Sequence, residues 1–264
     1  MGKSIKNQKL VDVWEDTKEI FEGKSLKSQG YVLEPKTERY DSYDIMEYEI
    51  TTSTVEVLNS DSVSCLIDED HFAGKICILN MASAKNAGGG VARGTKSQEE
   101  DLFRCSNLHL TLDQKEYPLG EDEAFYSEDV MFIKDSEYKR LKIPVICDVV
   151  TIPAVNLNKN SYYDENLKEW ISKVEDKPLE YEDTMLNKIR LMLTLAIENH
   201  CDTIILGAWG CGVFKNHPKE VAEFFKKVLN EENYGVKFER IVFAVIDDKN
   251  SVDSNYDIFY KTFR

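Results

Sequence analysis

Twice in this sequence a short, nearly unbroken apolar run leads into a cluster of glycines. The first is Lys75-Ile76-Cys77-Ile78-Leu79-Asn80, followed by Ala87-Gly88-Gly89-Gly90-Val91-Ala92-Arg93-Gly94. The second is Thr203-Ile204-Ile205-Leu206, continuing through Gly207-Ala208-Trp209-Gly210-Cys211-Gly212-Val213-Phe214. A run of that length and continuity reads as a strand covered on both faces. Two more such runs lie at Val145–Ile152 and Arg240–Ile246. Helical spacing recurs between them at Ile189, Met192, Leu193, Ala196 and Ile197, and again at Val221, Phe224, Phe225, Val228 and Leu229. Strands alternating with helices specify an α/β fold with helices on both faces of the sheet.

The remaining segments attach to that core. Leu10, Val13, Trp14, Thr17, Ile20 and Phe21 predict a docking helix that stops at Gly23. Residues 29–50 are tyrosine-rich and polar without a sustained period, which predicts an irregular arm leading to a strand near Ser53–Leu58. Leu102, Phe103, Cys105 and Leu108 predict a helix starting at Ser97, with Glu100 placed to complete a capping box. Asn158–Asp183 is acidic and aperiodic and reads as a surface insertion. The division expected is an N-terminal helical extension over 1–50 packed on a core over 51–264.

Composition narrows the partners. The 264 residues are 42% hydrophobic and 31% charged, enough for a core and unlike a disordered chain. A formal charge of −15 repels nucleic acid and anionic membrane, so neither is an expected partner. The six cysteines form no Cys-x-x-Cys pair and read as reduced, buried thiols. Lys6 stands where a myristoylation signal needs Ser or Thr, and no run nears the ~20 apolar residues of a membrane span. The expectation is a soluble, cytoplasmic monomer. His71, His109, His200 and His217 make no ligand-spaced pair, so no metal and no cofactor is expected.

Glycines at the ends of strands let backbone N–H groups approach an anion closely, and ligands of open α/β sheets bind beyond such ends. One cluster alone reads more simply as a tight turn; two together could clasp a diphosphate. Gly89 to Gly94 has the interval of a nucleotide-binding P-loop, but Thr95 interrupts the required adjacency to Lys96-Ser97. A Gly-x-Gly-x-x-Gly fingerprint fails in register at both loops. The unusual feature is Glu99-Glu100 at a helix start just after the first loop. Acids there ordinarily complement the helix dipole. Successive helical residues point about 100° apart, so the two carboxylates are expected to have different jobs.

The run from Ile78 through Gly94, then Gln98-Glu99-Glu100-Asp101-Leu102 and Arg104-Cys105-Ser106-Asn107-Leu108, closely resembles microbial-type poly(ADP-ribose) glycohydrolases. Leu206–Phe214 resembles their second phosphate loop. The resemblance implies a three-layer α/β/α macrodomain around a mixed sheet, with ADP-ribose or poly(ADP-ribose) on modified proteins as its partner. It places Glu100 as catalytic acid and Glu99 as its partner at the scissile ribose. Asn86 would contact the distal ribose, Gly88, Gly89 and Gly90 would sit beside the diphosphate and the scissile ribose, and Gln98 would belong to the substrate-binding set. Gly210, Cys211, Gly212 and Val213 would enclose the phosphates, Phe214 would pack on the nucleotide, and Asp61 is the candidate adenine contact. Ala87 departs from a common proline and Lys215 from a common glycine.

The activity implied is hydrolysis of ribose–ribose O-glycosidic bonds to release ADP-ribose, with Glu100 as general acid and then base. A helix N-terminus lowers a carboxyl pKa whereas a general acid needs it raised; burial and the neighbouring acid are expected to win. The alternatives are a hydrolase of single ADP-ribose groups on protein or nucleic acid, and a macrodomain that binds ADP-ribose without cleaving it.

Overall fold

Cys77 and Leu79 join one hydrophobic core cluster, and Ile78 between them joins another. This alternation is what a strand buried on both faces requires. The computed structural model describes residues 4–29, 31, 35–42, 53–68, 74–112, 114–164, 169–172, 180–247 and 254–264. Its strands are β1 (Lys36–Tyr40), β2 (Thr54–Leu58), β3 (Ile76–Met81), β4 (Ala124–Lys134), β5 (Arg140–Ile152), β6 (Ser161–Asp164), β7 (Glu169–Ser172), β8 (Thr203–Leu206) and β9 (Arg240–Ala244). The helices are α1 (Gln8–Glu22), α2 (Lys24–Ser28), α3 (Ser62–Ile67), α4 (Gln98–Cys105), α5 (Tyr181–Glu198), α6 (Pro218–Lys226) and α7 (Asn255–Phe263).

Seven strands form one mixed sheet in the order β1-β4-β5-β3-β8-β9-β2. Pairing is parallel from β5 to β2, and β4 is antiparallel to both its neighbours. Helices α5, α6 and α7 cover one face; α1, α3 and α4 cover the other. The result is the expected three-layer order. Each buried Leu, Ile or Phe in these layers contributes about 1.5–3 kcal/mol relative to exposure. Because β3 and β8 are adjacent and parallel, the two glycine clusters follow the carboxyl ends of neighbouring central strands.

Helix α1 runs as expected, capped by Asn7 and stopping at Gly23, with Trp14, Thr17 and Phe21 buried. Three expectations are corrected. The arm over 29–50 is not irregular throughout, because Lys36–Tyr40 pairs antiparallel with β4 as the edge strand of the main sheet; residues 43–50 lie outside the described residues. Within the insertion after Asn158, β6 and β7 pair as an antiparallel hairpin, and α5 already starts at Tyr181. Ser97 does precede α4, but its hydroxyl makes no cap bond to the helix backbone, so no capping box forms. The hydroxyl serves Glu100 instead.

All six cysteines are free and buried. Among the described residues no His, Cys, Asp or Glu group is placed to hold a metal ion, and no helix is long and apolar enough to cross a membrane.

Candidate active site

Gln98 joins α4 to the end of β3. Its Oε1 accepts from the Met81 N–H at 2.9 Å, and its Nε2 donates to the Leu79 carbonyl at 2.6 Å and to Ser62 Oγ at 3.4 Å. The side-chain amide thus continues the strand's own hydrogen-bonding ladder and fixes where the helix begins. Glu99 and Glu100 follow at once, 3% and 6% exposed respectively.

The two carboxylates take separate parts of one loop, as their angular offset requires. Glu99 accepts from the Ser83 N–H at 2.8 Å and the Gly88 N–H at 3.2 Å. Glu100 Oε1 accepts from the Gly90 N–H at 2.8 Å and from Thr95 Oγ1 at 2.8 Å, and its Oε2 accepts from Ser97 Oγ. Gly89 lies between them with φ +57. A Cβ at that position would stand 2.6 Å from Glu100 Oε1 and 3.0 Å from Glu99 Oε2. Any side chain there meets both acids.

This arrangement changes what the first glycine loop is for. The N–H groups of Gly88 and Gly90 are taken by the carboxylates, and that of Gly89 by the Asn86 carbonyl at 3.0 Å. The anions these amides approach belong to the protein itself. The second loop differs. Among the described residues the N–H groups of Gly210, Gly212, Val213 and Phe214 take no protein partner, and a Cβ on Gly212 would meet open space.

The second loop is held from beneath. The buried Trp209 indole N–H donates to the Ile152 carbonyl at 3.1 Å. Asn216 Nδ2 donates to the Val155 and Gly210 carbonyls at 2.9 and 3.0 Å, and Asn216 Oδ1 accepts from the Tyr181 hydroxyl at 2.8 Å. Lys215 adopts φ +61, the left-handed region, which accounts for glycine being the easier residue there. Cys211 is buried, and burial raises its thiol pKa, so it is no nucleophile at neutral pH.

Burial raises the Glu99 pKa to about 8; hydrogen bonds from the Ser83 and Gly88 N–H groups pull it down, and the Glu100 carboxylate pushes it up. A proton therefore resides in the acid pair at pH 7.

Of the other sequence candidates, Asn86 is exposed at the loop tip, and among the described residues nothing in the protein holds its side chain. Val213 is exposed and Phe214 packs at the edge of a core cluster. Asp61 caps α3, accepting from the N–H groups of Val63 and Ser64 at 3.0 and 2.9 Å. Ala87 gains a bond that proline could not make, its N–H donating to Gln114 Oε1 at 3.1 Å, while Gln114 Nε2 donates to the Lys85 carbonyl at 3.2 Å. The loop is clipped from outside at the point where a proline would stiffen it. Sequence reasoning missed Thr95 and Ser97 as partners of Glu100. Thr95 drew notice only for breaking a P-loop pattern.

A family model described as the microbial-type poly(ADP-ribose) glycohydrolase catalytic domain matches residues 6–135. Among solved structures, the fold is similar to a poly(ADP-ribose) glycohydrolase from Thermomonospora curvata. The identity is 24%, the TM-score is 0.78, and the match covers 97% of this chain and 100% of that one. It is also similar to a poly(ADP-ribose) glycohydrolase from Deinococcus radiodurans in complex with ADP-ribose. There the identity is 30% and the TM-score 0.68, over 81% of this chain and 84% of that one. No curated protein matches the sequence.

Proposed function

The chain belongs to the microbial-type poly(ADP-ribose) glycohydrolases, and on that premise we propose that its first glycine loop builds the acid pair while its second holds the diphosphate. The protein is a glycosidase acting on poly(ADP-ribose). In this reading Glu100 donates a proton to the leaving ribose oxygen as the anomeric carbon gains oxocarbenium character. The resulting carboxylate then takes a proton from the water that attacks that carbon, and ADP-ribose is released.

One observation carries the choice of Glu100 over Glu99. Both oxygens of Glu99 face backbone N–H groups, which only donate, whereas Glu100 Oε2 faces the Ser97 hydroxyl, which can donate or accept. A proton on Glu100 therefore has a partner before transfer, and the carboxylate has one afterwards. Glu99, its pKa raised to about 8 by burial, keeps a proton within the acid pair at pH 7 for Glu100 to deliver.

Around this pair, Asn86 reaches the distal ribose, and the free amides of Gly210, Gly212, Val213 and Phe214 receive the phosphates. Cys211 shapes the loop from within. Gln98 acts by setting the start of α4. Asp61 Oδ1 accepts both capping N–H groups and its Oδ2 accepts from Ser64 Oγ at 2.6 Å, which leaves the second lone pair of Oδ2 for the adenine amino group. The polymer is carried on modified protein and the enzyme works as a cytoplasmic monomer. Its charge of −15 keeps it off nucleic acid and anionic membrane.

The test is to incubate the wild type and Glu100→Gln with poly(ADP-ribose) and with mono-ADP-ribosylated protein, and to identify the product. The expected result is ADP-ribose from the polymer with wild type and none with the variant. Equal release from both substrates would favour a hydrolase of single ADP-ribose groups.

A further inference from the structure

Arg104 is completely buried, yet it sits one turn along α4 from the acid pair and makes three donations to three different segments. Its Nη2 donates to the Thr95 carbonyl, its Nε to the Leu10 carbonyl at 3.2 Å, and its Nη1 to Asp101 Oδ1 at 3.2 Å. Thr95 is the residue whose hydroxyl holds Glu100 Oε1, and Leu10 belongs to α1. One rigid guanidinium thus ties the N-terminal helix to the loop segment that positions the carboxylate.

The contact between α1 and the loop is direct as well. The Lys6 N–H donates to the Arg93 carbonyl at 2.8 Å. Gly94 has φ +71 and lies so close to Asn7, the N-cap of α1, that a Cβ on it would stand 2.0 Å from the Asn7 carbonyl oxygen. A second buried cation pins the middle of the helix. Lys134 Nζ donates to Thr17 Oγ1 at 2.7 Å and to the Val13 carbonyl at 3.0 Å, and pairs with Asp16 at 2.6 Å. The Thr17 hydroxyl in turn donates to the Arg104 carbonyl at 2.5 Å.

We propose that Arg104 is a positioning residue for Glu100, acting through Thr95, and that docked α1 is the far anchor of this brace. The inference rests on the reading of Glu100 as the reacting carboxylate. A planar fork with fixed donor directions can bridge the Thr95 and Leu10 carbonyls at once, and a lysine ammonium on its flexible stem cannot. Displacing a reacting group by about 1 Å can lower a rate about 100-fold without touching substrate binding. The diphosphate donors lie on the other loop, so a fault in the brace shows in turnover and leaves affinity in place.

The test uses the full chain with Arg104→Lys, Thr95→Val, the double variant and Gly94→Ala, read by thermal unfolding, ADP-ribose affinity and kcat on poly(ADP-ribose). The expected result for Arg104→Lys and for Thr95→Val is cooperative unfolding, an ADP-ribose Kd within about 3-fold of wild type, and kcat lower by roughly 10- to 100-fold. The double variant falls no further than either single one, because both break the same path. Gly94→Ala keeps every bonding side chain but drives a methyl group onto Asn7, and lowers kcat in the same way. Fully additive losses, or wild-type kcat in Arg104→Lys, would overturn the inference. Should Arg104→Lys fail to fold, wild-type kcat in Gly94→Ala overturns it alone. Normal turnover in Glu100→Gln would sink the underlying reading instead, which separates the two failures.

Discussion

Glu99 holds its carboxyl group almost without solvent, and its pKa of about 8 makes folding sensitive to pH in a known direction. The folded state keeps a proton that the unfolded chain releases above about pH 4.5, so burial of this acid weakens the fold progressively from there to pH 8. Glu99→Gln imitates the protonated form. Its Tm relative to wild type is expected to rise between pH 5 and pH 8.5, and a difference that stays flat would show that Glu99 is not the buried proton carrier. Lys215 offers a second local test. Its left-handed backbone is strained for any residue with a Cβ, so Lys215→Gly is expected to stabilise by about 0.5–1 kcal/mol in denaturant unfolding. At this scale the sequence revealed the acids and the glycines but not their relation. Motif and spacing pointed to amides waiting for a phosphate. The fold turned the first set onto Glu99 and Glu100, since helix α4 brings both acids within hydrogen-bonding distance of the loop.

Helix α1 depends on a neutral imidazole. His109 packs edge-on against Trp14, with centroids 4.9 Å apart, and lies 5.9 Å from Phe21. Burial lowers its pKa to about 4, partly offset by a hydrogen bond with Ser106. In this case the unfolded chain takes up the proton first, so the contribution is full above about pH 6.5 and is lost as pH falls toward 4. Loss of protection in the α1 amides by hydrogen exchange is expected on acidification through that window, and His109→Phe is expected to shrink the effect. Equal acid sensitivity in both proteins would remove His109 from the account. Among elements, the strands feeding the glycine loops and helices α1, α5 and α6 were legible because their apolar periods are long and unbroken. Strand β4 was not. Asp129 at φ +56 and the register shift between Ser127 and Val130 break its alternation midway. β1 is an edge strand, mostly exposed, whose pairing depends on β4 rather than on its own pattern. The short α7 draws its place from Phe259 and Phe263 packing on Phe243 of β9, a tertiary contact that its own nine residues do not announce.

The whole molecule carries a formal charge of −15 and acts on a polyanion. Long-range repulsion therefore opposes encounter, and salt screens it, with a Debye length of about 30 Å at 0.01 M and 8 Å at 0.15 M. The KM for poly(ADP-ribose) is expected to fall as salt rises over that range, the opposite of a protein that binds nucleic acid through a basic face. A KM that rises with salt would point to a basic binding track that the charge balance does not suggest. In the proposed reading, local donors on the second loop, which follows the strand next to β3, supply the attraction that the net charge withholds. The acid pair is the core of the account. Single-turnover cleavage of poly(ADP-ribose) at pH 7 by Glu100→Gln and by Glu99→Gln tests it most directly. Glu100→Gln is predicted to lose about 10²- to 10⁴-fold in rate while still binding ADP-ribose, with a smaller loss in Glu99→Gln. Wild-type cleavage by Glu100→Gln, or a larger loss in Glu99→Gln than in Glu100→Gln, would contradict it.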